Sequence, residues 1–235
     1  MMMKKTAKIM TVLTVLAVLA AGNAEAAFFG TDVVGQSAVT SFAAMLEALE
    51  VPPAADEDEG VWVLTAPDGG AAFWWRKEAK DARMFDAYLS FDAGPFVNAG
   101  LDLSKLPLNM KGMLEERGKI VVGAKLSKEP LVYEGDVTPL SSFEQIVKLD
   151  RDSVGYHSAL DHYGVTVSEG SLLEWAKDMS KNDKDLVFVL NPQVFIDAGV
   201  DPSKVEGWVF DKVTVEDARG RKYDADKFLK PFDLK

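Results

Sequence analysis

The chain contains two histidines, and both fall in the stretch YHSALDHYG. His157 and Asp161 stand four apart, so a helix over residues 153–162 would place them on one face and turn His162 away from it. With carboxylates supplied from elsewhere, such a pair could hold a divalent metal or run acid–base chemistry. One His and one Asp are too few ligands alone, and an ordinary exposed ion pair explains the spacing equally well. The overlapping stretch DRDSVGYHSALD, Asp150 to Asp161, has acidic residues at positions 1, 3 and 12 and Gly155 at position 6 of a calcium-loop spacing. Val154 at position 5 offers no side-chain oxygen, which argues against calcium there.

The second candidate is aromatic. Trp62, Phe73, Trp74 and Trp75 cluster in VWVLTAPDGGAAFWWRK, two apolar runs joined by a turn-forming Pro67-Asp68-Gly69-Gly70. Adjacent residues of a strand point to opposite sheet faces, so Trp74 and Trp75 must part company. Core packing accounts for both if the sheet is covered on its two sides. A binding role instead requires one of them, with Trp62 or Phe73, to line a partly exposed platform near the turn for a saccharide, a peptide or a quaternary ammonium.

Much chemistry is excluded. There is no cysteine, which removes thiol nucleophiles, redox pairs and thiolate zinc sites. No GxSxG, SxxK, GxGxxG, GxxxxGK[ST] or HExxH is present. GQSAV, Gly35 to Val39, lacks the second glycine of a nucleophile elbow. Carboxylates are abundant, yet no spacing nominates a glycosidase pair, and the acidic AADEDEG reads as a solvated loop. No cofactor is implied.

The elements that must position these residues begin after an export signal. Lys4, Lys5 and Lys8 precede an uncharged run from Ile9 to Ala21, and Ala24-Glu25-Ala26 supplies a cleavage site. The run is 13 residues long, against about 20 for a membrane span, so no stable anchor is expected after cleavage. Losing three Lys and one Glu takes the net charge from −11 to −13. That field disfavours nucleic acid and anionic lipid as partners. The mature protein is expected to be periplasmic or extracellular.

Helical spacing runs from a Ser37 cap to Glu50 and again from a Thr138 cap through LSSFEQIVKL; further helices are expected near 108–118, 153–162 and 171–181. Strands are expected at 61–66, 71–77, 84–91, 119–126, 185–190 and 207–215, with a polar tail from 216 anchored by Phe228 to Leu234. A ten-residue phrase occurs twice, FVNAGLDLSK at 96–105 and FIDAGVDPSK at 195–204, each after a strand. Asp92 or Asn191 can cap a short helix, Gly100 or Gly199 can end it, and Asp102 or Asp201 can cap one further turn. The phrase therefore predicts a connector, and the constant offset of 99 predicts an internal duplication.

The expected fold is α+β, with mixed β-sheets and packed helices in two related lobes. The expected organisation is a signal peptide at 1–26, a leader at 27–35, a lobe at 36–132, a linker at 133–137 and a second lobe at 138–235. The favoured function is an exported noncatalytic binding or accessory module of the cell envelope, taking a protein, peptide or saccharide ligand. A carboxylate-based hydrolase, with or without a divalent metal, and a structural envelope subunit are the alternatives.

Overall fold

A computed structural model describes residues 31–77, 85–124, 136–149, 151–158, 160–168, 170–180, 184–216 and 222–234. The expected signal peptide, residues 27–30 of the leader, residues 133–135 of the linker and Asp150 lie outside the described residues.

The fold is α+β with two sheets. Helix α1 (Thr31–Ala48) leads into β1 (Ala54–Asp56), β2 (Val61–Thr65), β3 (Ala71–Arg76) and β4 (Ala87–Asp92), then a short helix α2 (Gly94–Asn98), a 3-10 turn at 103–105, a single helical turn α3 (Leu114–Arg117) and β5 (Lys119–Ala124). Helix α4 (Pro139–Leu149) opens the second half, followed by β6 (Val154–His157), β7 (His162–Ser168), β8 (Ser171–Ala176) and β9 (Leu186–Leu190). A short helix α5 (Gln193–Asp197), a 3-10 turn at 202–204, β10 (Val209–Glu216) and β11 (Lys222–Phe232) complete it. The first sheet runs β1-β2-β3-β4-β5 and the second β10-β11-β9-β8-β7-β6. Every pairing between these strands is antiparallel, so the sheets are not mixed and no parallel crossover is needed.

Local chemistry explains most of the elements. The hairpin between β2 and β3 closes on Gly69 at φ +74, with Asp68 Oδ1 accepting from the Gly70 amide at 2.9 Å. Thr138 Oγ1 accepts from the Ser141 amide at 3.1 Å and caps α4, with Pro139 in the first turn. Helix α1 begins at Thr31, so Ser37 is internal rather than its cap. The segments expected as helices at 153–162 and 171–181 instead contain the strands β6 and β8, and the tail contains the 11-residue strand β11. In the first case Asp161 takes φ +55 and accepts a hydrogen bond from the Tyr156 hydroxyl, which turns the chain back on itself. In the second, Leu172 and Leu173 are both apolar and buried although they point to opposite faces, and that hides the alternation of a strand.

Helices α1 and α4 each lie against the sheet of the other half. Helix α1 contacts β6, β7 and β8, and Ser41 Oγ donates to the Ala176 carbonyl at 3.0 Å. Helix α4 contacts β3; its Ser142 Oγ accepts from Trp62 Nε1 at 3.0 Å, and its Pro139 carbonyl accepts from Trp75 Nε1 at 3.0 Å. The two helices meet through Phe42 and Phe143, stacked with centroids 3.8 Å apart. One hydrophobic cluster joins Phe73, Trp75, Leu89 and Phe91 of the first sheet to Leu173, Trp175, Phe188 and Leu190 of the second. Full burial of a large side chain contributes about 1.5–3 kcal/mol, so this shared cluster dominates cohesion.

The repeated phrase lies at the meeting point. Phe96 and Phe195 are both fully buried, with ring centroids 4.9 Å apart. The Asp102 amide donates to the Ala198 carbonyl at 2.9 Å, and the Asp201 amide returns the bond to the Ala99 carbonyl at 2.8 Å. Gly100 and Gly199 adopt φ +106 and +102, and a Cβ on either would stand 2.8 or 3.0 Å from the other's carbonyl oxygen. Asp102 and Asp201 cap their 3-10 turns as expected, and Asn191 accepts from the Gln193 amide. Asp92 does not cap α2, because its carboxylate pairs with Lys119 at 2.8 Å. The phrase is thus a connector whose two copies hold each other.

Gly100→Ala and Gly199→Ala should each cost about 2 kcal/mol or more through strain and clash together, measured by urea denaturation. Gly112→Ala, where a Cβ meets nothing within 4 Å and φ is −57, should be near neutral. Similar losses at all three positions would contradict the interlock.

Candidate functional site

The aromatic hairpin is packed rather than presented. Trp75 is 0 % exposed and Phe73 is fully buried in the shared core, stacked with centroids 5.2 Å apart. Trp74 faces the other side but is only 5 % exposed; it stacks on Tyr88 at 5.4 Å, donates from Nε1 to Ser90 Oγ at 2.7 Å and carries the Arg117 guanidinium over its ring at 5.4 Å. Trp62 is half-buried and spends its donor on Ser142. Neither Trp74 nor Trp75 is therefore the partly exposed tryptophan expected beside the turn. Met113, Phe85 and Arg117 complete the cover of the outer face of this sheet.

The metal pair is likewise not assembled. Asp161 accepts from Tyr156 and lies 3.8 Å from Lys177 Nζ, whereas His157 turns to Glu174, with Nδ1 to Oε1 at 3.2 Å. Among the described residues no group of three His, Asp or Glu is arranged to hold a metal ion.

Equivalent registers explain where the opening lies. Across the first sheet one cross-strand row reads Ala54, Val63, Trp74, Tyr88, Gly123. The matching row of the second sheet reads Gly155, Gly164, Glu174, Val187, Pro231. A stacked Trp–Tyr pair fills the first outer face. The second row has Glu174 and Val187 in place of that pair and glycines where the first has Ala54 and Val63, and a cavity of about 400 Å³ lies over that sheet. Its apolar floor is Leu172, Val187, Val189 and Leu229, with Val209 and Val213 of β10 to one side. Leu160 and Val209 are 46 % and 51 % exposed, although both are large aliphatics.

His157, His162 and Glu174 form one polar group in this wall, with Lys184 and Lys227 also lining it. His157 and His162 are direct cross-strand partners at the end of β6 and the start of β7. Glu174 is 7 % exposed in its side chain. Burial alone pushes its carboxyl up, but the His157 hydrogen bond and the nearness of both imidazoles outweigh it and hold the group at about 2. The same hydrogen bond raises the His157 imidazole above its ordinary value against the opposing effect of burial. His162 Nδ1 lies 3.8 Å from Glu174 Oε2, too far for a hydrogen bond, and has no partner among the described residues. Lys227 donates to the Gly170 carbonyl at 2.9 Å, and Lys184 pairs with Asp233.

Sequence reasoning singled out His157 but missed Glu174 and the role of His162. The available signal was a lone carboxylate inside the apolar strand SLLEW, since a buried Glu requires a partner. No protein-family model, curated protein or solved structure matches this chain.

The pair sets a pH window. Glu174, held below its ordinary 4.5, contributes stability above that value and loses it as pH falls toward about 2. His157, raised above 6.5, contributes below that value and loses it as pH climbs through its folded value. His157→Ala should therefore destabilise most between pH 4.5 and 6.5, by about 2 kcal/mol. This is less than a fully buried pair because 26 % of the His157 side chain is exposed. Thermal denaturation of both proteins across that range checks it, and a deficit independent of pH would contradict the pairing.

Proposed function

We propose that this chain is an exported, noncatalytic binding module of the cell envelope whose ligand is small and largely apolar and occupies the outer face of the second sheet. One observation carries the reading: two sheets of matching register differ on their outer faces, one filled by Trp74 and Tyr88 and the other hollowed to about 400 Å³. That volume lies within the range of small-molecule sites, and a mostly apolar lining with a few convergent polar groups is their usual chemistry. The export part rests on the three-part composition of residues 1–26.

Binding is favoured over hydrolysis by the state of the polar groups. Glu174, held at about 2, remains ionised near neutral pH and is poorly matched to donating or taking protons there. It is also the one carboxylate lining the cavity among the described residues, which leaves a two-carboxylate mechanism without its second member. The matching order and register of the two halves further support the proposal that they descend from a duplicated unit.

Nile red, a neutral apolar dye, should bind the purified mature protein saturably at one site. Val209→Glu and Val213→Glu, at the edge of the cavity, should weaken it about tenfold or more, which corresponds to 1.4 kcal/mol. Val63→Ser, on the filled outer face of the first sheet, should leave binding unchanged. Dye binding that survives both glutamates, or is absent from the wild type, would overturn the reading.

A further inference from the structure

The geometry points to a ligand class: the cavity on the second sheet takes an apolar molecule whose head donates a hydrogen bond, a hydroxyl or an ammonium, between Glu174 and His162, and it rejects an anionic head. This inference rests on the binding reading above and adds to it which end of the ligand is recognised and how.

Two acceptor positions of Glu174 are distinguishable. Oε1 is engaged by His157 Nδ1 at 3.2 Å. Oε2 is approached by His162 Nδ1 at 3.8 Å, a separation that a single atom about 2.8 Å from each could bridge. A carboxylate oxygen accepts and never donates, so the bridging atom must carry a proton toward Oε2. A hydroxyl does this while accepting from an Nδ1–H, and an ammonium donates to Oε2 and to an unprotonated Nδ1 alike.

His162 supplies an independent reason to expect such an atom. Its side chain is 4 % exposed and lines the cavity, and its Nδ1 is a buried polar atom without a hydrogen-bond partner among the described residues. An unmet buried polar group is destabilising, and a ligand atom that satisfies it gains the difference on binding. A carboxylate or phosphate head at the same place would set a second negative charge beside an ionised, desolvated Glu174. Of the two lysines lining the cavity, Lys184 is paired with Asp233 and Lys227 holds its ammonium on the Gly170 carbonyl at 2.9 Å. The next row of the floor, Leu172, Val189 and Leu229, gives the apolar body of the ligand its place beside the polar group.

Isothermal titration of the mature protein with octanol, octylamine and octanoate, which share one alkyl chain, tests the inference. Octanol and octylamine should bind about tenfold or more tightly than octanoate. His162→Phe, which keeps an aromatic ring in the cavity wall and removes the nitrogen, should weaken octanol about fivefold or more beyond any change it makes in Nile red binding. Glu174→Gln should narrow the preference over octanoate to about twofold. Equal affinity for the three heads, as would follow if a water bridges the two side chains in every complex, overturns the head-group inference while Nile red binding keeps the cavity reading. Failure of all three ligands and of Nile red overturns both. Tighter binding of octanoate overturns the inference alone.

Discussion

The reciprocal contact between the two connectors is the constraint on which the rest of the structure depends. At Gly100 and Gly199 two backbones approach so closely that neither can carry a Cβ, and the amides of Asp102 and Asp201 each bond to the opposite copy. Such an approach is sterically open only to glycine. It fixes Phe96 against Phe195, which lie in the short helices that follow β4 and β9. Helices α1 and α4, stacked through Phe42 and Phe143, lie on the sheets of the opposite halves. Neither half then has an inner face covered by its own residues alone, and one core forms from both.

That arrangement divides the sheet residues into two classes. Inward positions are bound by the shared core and repeat in kind: Trp75 and Trp175 stand opposite Ala87 and Leu186, at the same point of their sheets. Outward positions carry no such demand and differ. Trp74, Tyr88 and Val63 fill one outer face, while Glu174, Val187 and Gly164 leave the other hollow. Removing bulk from a face normally costs packing energy, and placing a carboxylate there costs solvation unless it is paired. His157 meets the second cost, and in the proposed reading a ligand meets the first. Stability from the inner faces is what permits the outer face of the second sheet to depart from good packing.

The parts of this fold legible in the sequence were those specified by local chemistry. The PDGG turn, the Thr138 cap and the glycine-terminated connector each act within a few residues, and each stands where its residues imply. Strand β8 was not legible because Leu172 and Leu173 put apolar residues on both of its faces, so a helical spacing fits the same residues. The filled and hollow rows were hidden by register. The offset between halves is 99 at β4 and β9, becomes 100 from Trp75 to Trp175 and 101 from Val63 to Gly164, since each turn of the second half is shifted by one residue. A constant offset sets Trp74 against Leu173, and the contrast of Trp74 with Glu174 disappears. His157 was visible as chemistry but was assigned to Asp161, whereas its partner comes from a strand 17 residues away.

Methyl-resolved NMR of the mature protein titrated with octanol tests the difference between the two outer faces most directly. The account predicts saturable shifts of the Leu172, Val187, Val189 and Leu229 methyls along one common binding curve, with Val63 and Val121 of the first sheet unmoved. Shifts at Val63 and Val121, or equal shifts on both outer faces, would contradict it.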